Sequence, residues 1–205
     1  MATRIYPSAR DRILDAAERL VVSRGVNSLT IEAVITEAQI SKGGFFHHFA
    51  TKDALLTAII DRLSRRMTDD AAERAARDPE PRGARLRAQI ELAFDAEKLK
   101  IAAPRALLMA LIEAAGAQPE IARHICTLNA EAFARDVVED ISEGRAIAIQ
   151  LALDGFWLSQ ALGTTALTER QVQVLRDALL ALAQPEAGAG RRPARPRAPR
   201  KGGRT

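Results

Sequence analysis

Between Thr30 and Lys52 the chain sets hydroxyls, glycines, imidazoles and ammonium groups at spacings suited to gripping a polyanion. Thr30, Ser41 and Thr51 each stand directly before a short apolar-periodic run, which is the N-cap position of a helix. The free N–H groups and positive dipole end of such a helix suit phosphate oxygens. Lys42 and Lys52 follow two of these hydroxyls and add point charges. Gly43 and Gly44 let a helix backbone approach a partner closely, and Phe46, His47 and His48 come next on the exposed side and end of the same segment. Neighbouring residues on a helix point about 100° apart, so His47 and His48 cannot both chelate one ion, and no Cys or carboxylate cluster completes a metal site. His47 is expected to face the polyanion, and His48 its phosphate edge or the packed interior. No Gly-x-Ser-x-Gly, phosphate loop or convergent Ser/His/Asp set occurs, so neither catalytic residues nor a cofactor are expected.

These residues need helices to position them, and helical periodicity runs through almost the whole chain. Ser8 to Gly25 frames a first helix with Ile13, Leu14, Ala17, Leu20 and Val21 on one face. Thr30–Ala38 and Ser41–His48 give two more, joined through Gln39 and Ile40 in a tight turn, the helix-turn-helix pattern. Val34, Ala38, Ile40, Phe45 and Phe49 would anchor that pair against the first helix. A major groove about 12 Å wide accepts one such helix. Thr51 starts a longer helix with a stripe of Leu55, Leu56, Ile59, Ile60, Leu63 and Met67. After the break at Asp78–Gly83 come a helix from Leu86 to Ile101, one with Pro104 at its first position that ends at Gly116, and one opened by Pro119. Arg145–Leu162 is apolar nearly all round, which with Asp154 inside it reads as a helix buried on several sides. Thr168 caps the last helix, making about nine in all and an all-α fold. It divides into a helix-turn-helix domain at 1–50 and a helical bundle at 51–184.

The string Thr30-Ile31-Glu32-Ala33-Val34, then Ile40 to Phe49, then Lys52-Asp53-Ala54-Leu55-Leu56, closely resembles the TetR/AcrR family of transcriptional regulators, as do Ile13-Leu14-Asp15-Ala16-Ala17 and Gly25 before it. The resemblance implies a homodimeric regulator, a repressor, that reads a pseudo-palindromic double-stranded DNA operator and is released by a small-molecule effector. Thr30, Ser41, Lys42, Gly43, Gly44, Phe46, His47, His48, Thr51 and Lys52 would contact DNA. Asp154-Gly155-Phe156-Trp157-Leu158 looks like a motif of the family's dimer helix, so Asp154, Phe156 and Trp157, with Leu175 and Leu179, are expected at the dimer interface. Phe94, Met109, Phe133 and Trp157 could line an effector pocket or be plain core, and Asp95, Glu97 or Arg105 could anchor a largely apolar effector. Four positions depart from the family pattern: Gln39 for a turn glycine, Ile35 for alanine, Gly44 for threonine or alanine, and Phe46 for a tyrosine whose hydroxyl reaches a phosphate. They leave open an alternative, a helical-bundle module for a small molecule or protein that has lost sequence-specific DNA recognition.

Composition fits this frame. Hydrophobic residues make up 47% of the 205 and charged residues 27%, with a single cysteine, so a disulfide framework is excluded within one chain. Cys126 reads as a small buried hydrophobe and not a redox sensor. No signal peptide or membrane span is apparent, which points to a cytoplasmic protein without a membrane partner. Residues 1–67 carry 10 Lys/Arg against 7 Asp/Glu, residues 68–184 carry 13 against 18, and residues 185–205 carry 7 against 1. That last segment is Gly, Pro, Ala and Arg without an apolar stripe, which predicts a disordered basic tail, either a solvated end or a sequence-indifferent DNA arm.

Overall fold

Ser8, Thr30, Ser41, Thr51 and Thr168 each start a helix, and in each case the side-chain oxygen accepts the backbone N–H three residues on. In this computed structural model, which describes residues 8–25, 28–95, 102–136, 141–164 and 166–185, the fold is all α. The helices among the described residues are α1 (Ala9–Arg24), α2 (Ile31–Ala38), α3 (Lys42–His48), α4 (Lys52–Ala75), α5 (Ala84–Ala93), α6 (Ala102–Ala117), α7 (Pro119–Asp136), α8 (Glu143–Leu162) and α9 (Glu169–Leu182). Thr168 and Gln171 add a reciprocal capping box at the start of α9.

Two apolar cores organise them. In the first, Ile13, Leu14, Val34, Phe45, Leu55 and Ile59 meet, so α1 to α4 close around Phe45 as the sequence pattern predicts. Leu107, Ala114 and Ile121 from α6 and α7 complete that same core. The second joins α5, α8 and α9 through Leu86, Ile90, Phe94, Ile149, Phe156 and Leu179. Because α4 packs on α1, α5 and α7, it belongs to both halves of the molecule.

Arg87 locks one corner of the second half. It is only 7% exposed, and its guanidinium donates to the Asp78 carboxylate (2.8 Å) and to the carbonyls of Glu80, Arg82 (2.9 Å) and Ala183 (3.0 Å). One buried cation thus ties the 78–83 turn to the end of α9, and its hydrogen bond to Asp78 lowers that carboxyl's pKa. Gly83 takes φ +75° there, and a Cβ at that position would collide with the Ala183 carbonyl oxygen.

Several sequence expectations need correction. Pro104 is the third residue of α6, not the first; the opening N–H groups of a helix have no intrahelical partner, so proline is tolerated throughout that turn. The same helix runs one residue past Gly116, to Ala117. α5 stops at Ala93 with Phe94 as its cap, and Ile101 lies outside the described residues. Met67 is exposed: it lies beyond the stretch of α4 that joins the first core, Leu55 to Ile60, and before Ala71, where the helix is buried again. Cys126 is also exposed: Ile121, Ile125 and Leu128 form the inward stripe of α7, and position 126 falls off it. The tail at 186–205 and Glu97 lie outside the described residues, as does the Arg105 side chain.

Candidate nucleic-acid interface

The exposed face of α3 is built by burying the opposite one. Phe45 is fully buried and Phe49, the C-cap, nearly so, with their ring centroids 6.0 Å apart. Phe46 stands edge-on to Phe45 at 5.4 Å and is itself exposed, together with Lys42, Gly43 and His47. Gly44 and His48 are half-buried, and the two imidazoles pack edge to face, 5.0 Å between centroids. One helical surface therefore presents an ammonium, a bare backbone, an aromatic edge and an imidazole, a set able to touch base edges and the sugar-phosphate backbone together.

The glycines differ in purpose. A Cβ at Gly43 would meet nothing within 4 Å, so that backbone is open to whatever α3 docks against. At Gly44 a Cβ would come within 3.2 Å of Ser41 Oγ, which is busy accepting the Gly44 N–H at 3.0 Å. Gly44 therefore keeps the Ser41 cap uncrowded. Thr30 Oγ1 and Thr51 Oγ1 accept from Ala33 and Ala54, each at 3.1 Å, and so cap α2 and α4 in the same way. Thr51 is exposed and Lys52 half-buried beside it at the start of α4.

Sequence reading missed the charged side chains that fix this module. The Arg10 guanidinium lies 5.5 Å from the Phe49 ring centroid, holding the start of α1 to the end of α3 by a cation–π contact. Arg19 bonds Glu37 at 2.9 Å between α1 and α2. Arg62 on α4 reaches Asp15 (2.7 Å) and Glu18 (2.7 Å) on α1, and Arg66 also reaches Glu18, at 3.1 Å. Asp15 and Glu18, three residues apart on one helix, were the available signal; their partner 44 to 47 residues away was not. The turn holds a further cost: Gln39 adopts φ 54°, ψ 53°, the left-handed conformation that glycine takes freely.

Away from α3, Phe94 and Phe156 stack with centroids 4.5 Å apart in the second core, and Phe133 and Trp157 pack half-buried against it. Met109 is half-buried on α6. Of the residues expected at a dimer interface, Phe156 and Leu179 point into the chain's own core and Trp157 and Leu175 are half-buried. Asp154, expected in a buried helix, is exposed, because α8 turns one stripe inward (Ile149, Leu153, Phe156) and another outward. The outward stripe is Ile147, Leu151, Leu158 and Leu162, with Leu151 65% exposed, and α9 adds Val174 at 61%. Asp95, considered as an effector anchor, lies 3.3 Å from Arg74. No helix among the described residues is long and apolar enough to cross a membrane.

Comparison with known proteins gives this geometry a lineage. Residues 13–59 match the family described as bacterial regulatory proteins, tetR family, and residues 83–184 match the tetracyclin repressor-like C-terminal domain. The HTH-type transcriptional regulator BetI of Burkholderia thailandensis is 31% identical over 162 residues, 75% of this chain and 82% of that protein. UidR of Escherichia coli K12, also an HTH-type transcriptional regulator, is 40% identical over 60 residues, only 30% of its own length. A TetR transcription regulator from Haloarcula marismortui shares the fold with a TM-score of 0.68 at 18% identity, covering 85% of this chain and 96% of that one. The multidrug binding protein EbrR, complexed with ethidium, superposes with a TM-score of 0.67 at 24% identity over 86% of this chain and 98% of its own. The chain belongs to the TetR family: it is a DNA-binding transcriptional regulator and not an enzyme.

Proposed function

We propose that this regulator is a homodimeric repressor whose two α3 helices read a pseudo-palindromic operator and whose helical bundle binds a small, largely apolar effector that releases it. The observation that carries the reading is the exposed Lys42, Gly43, Phe46 and His47 surface on α3, held rigidly over buried Phe45 and flanked by the capped starts of α2 and α4. Residues 1–50 would form the reading module, and 51–184 the effector and dimer module. His47 reads bases; Lys42, Thr30, Ser41, Thr51 and Lys52 position the module on phosphates, with His48 at their edge. Phe46 has no hydroxyl and so contributes apolar contact alone, while Gly43 and Gly44 admit the backbone.

The outward apolar stripe of α8 together with the exposed face of α9 supports pairing of two copies. Two-fold symmetry then sets the half-sites about one helical turn, roughly 34–36 Å, apart or somewhat more. The aromatic cluster of Phe94, Phe133, Phe156 and Trp157 supports an apolar effector site, as does the likeness to a fold that in EbrR accommodates ethidium. An effector that favours a state with the reading helices set wider apart lowers DNA affinity by linkage.

The test is fluorescence anisotropy on genomic fragments selected by the purified protein, with random duplex as competitor. A fragment that survives about 10³-fold competition, and loses this in His47→Ala with an unchanged melting curve, is the expected result. If no selected fragment outcompetes random DNA, the operator-reading proposal is wrong.

A further inference from the structure

The arginines that clamp the reading module from the side are matched with carboxylates: Arg19 with Glu37, Arg62 with Asp15 and Glu18, and Arg66 with Glu18. Arg10 is held differently. It is exposed, and its guanidinium lies over the Phe49 ring, 5.5 Å from the centroid. Among the described residues no carboxylate pairs with it, and the neighbouring Asp11 accepts from the Ser8 hydroxyl at 2.6 Å. Phe49 is itself only 4% exposed and packs on Phe45, so the seat under Arg10 belongs to the module's core. A ring occupies one face of the planar guanidinium and leaves the N–H donors at its edge open.

We propose that Arg10 is a DNA-contacting residue, whose guanidinium, seated on Phe49, grips a backbone phosphate at the carboxy-terminal end of α3. It rests on the DNA-binding reading of α3. Three observations carry it. The first is place. Phe49 is the C-cap of α3, and the chain leaves it extended (φ −136°, ψ 113°) for Thr51, the exposed N-cap of α4, with half-buried Lys52 next. α3 has seven residues, about 10 Å of helix, against a major groove about 12 Å wide. A helix of that length lying in the groove brings both ends near the phosphate walls, with Lys42 at one end and Arg10 at the other. The second is geometry: the stacked guanidinium has already lost part of the freedom that gripping a phosphate would take from it, and its fork matches two phosphate oxygens. The third is charge, since no ion pair has to break before the contact forms. Such a contact fixes the module on the duplex and adds affinity without sequence information.

The experiment measures binding of the full chain, Arg10→Gln and Arg10→Lys to a duplex selected from genomic fragments and to a random duplex of equal length, each across a salt series. Arg10→Gln should weaken both complexes by about tenfold at low salt, and make the slope of log K against log salt shallower by about 0.9 for each Arg10 that touches DNA. Arg10→Lys keeps the charge and should keep the slope, but without the fork it should recover only part of the affinity. Methylphosphonate linkages, each of which removes one backbone charge, locate the contact on the selected duplex. One linkage in each half-site should cost the parent several-fold, cost Arg10→Lys less and cost Arg10→Gln nothing further. If Arg10→Gln melts early, the comparison of the parent with Arg10→Lys at that linkage still decides. A packing role alone would shift the melting curve and leave both the slope and the linkage pattern unchanged. That result would overturn the proposal with the α3 reading intact. Failure of the parent to bind any duplex would overturn both readings.

Discussion

Gln39 is a polar residue in a backbone conformation that suits glycine, and it sits in the turn that sets α3 against α2. Its N–H still closes the end of α2 on the Ile35 and Thr36 carbonyls, so the turn is formed, but at a steric cost that an exposed side chain does nothing to recover. Gln39→Gly should therefore raise stability by about 1 kcal/mol, less what glycine adds to the entropy of the unfolded chain. The measurement is a urea midpoint at constant slope; a midpoint that stays put or falls would show that the surrounding contacts, not the dihedral, decide this turn. In the sequence its strain was legible only through the family resemblance, which implies a turn glycine at this position. The ion pairs that clamp the module were not. Arg62 meets Asp15 and Glu18 only because α4 folds back along α1, a pairing with no local signature.

At the scale of the helix, α8 reads from its sequence as buried on several sides, whereas within this chain one side is buried. Its sequence is apolar nearly all round, and the structure divides that circumference into an inward stripe through Ile149 and Phe156 and an outward one through Leu151 and Leu158. Which stripe meets the core depends on where α5 and α9 lie, which the pattern within α8 does not contain. Asp154 falls on the outward stripe, with Leu151 and Leu158 about one turn away on either side. Desolvation raises its carboxyl pKa, and a hydrogen bond from the Gln150 amide at 2.9 Å opposes the shift in part. A carboxyl whose folded pKa lies above its ordinary value of 3.8 binds more protons in the folded state. Its contribution is therefore fully favourable below that value and is lost as pH rises through the folded pKa. If this face pairs two copies, burial deepens the effect. Dimer dissociation should become easier as pH climbs above 3.8 and through the raised folded pKa, and Asp154→Asn should flatten the profile and tighten the dimer on the order of tenfold at pH 7. Sedimentation equilibrium across that range decides it. Parallel profiles for the two proteins would mean that Asp154 stays in water.

At the scale of the whole molecule, the boundary near residue 50 divides the chain by motif but not by packing. The core under the reading helices is finished by Leu107, Ala114 and Ile121, drawn from α6 and α7, so the module that faces DNA is sealed by helices of the bundle. A polar tie runs alongside: His124 Nε2 on α7 lies 2.7 Å from the Asp61 carboxylate on α4, and the next residue, Arg62, holds α1. A displacement of α7 thus has a short physical route to α1 through side chains already in contact, which is what an effector site in the bundle would need. Ile121→Ala tests the connection. Removing a nearly fully buried side chain there should cost about 2–4 kcal/mol, and the loss should appear beyond its own helix. Hydrogen exchange should quicken in α1 and the first turns of α4 together with α7, because the three share one apolar core. Loosening confined to α7, with α1 amides as protected as before, would mean that the reading helices hold themselves together and that any signal from the bundle must reach them along α4 alone.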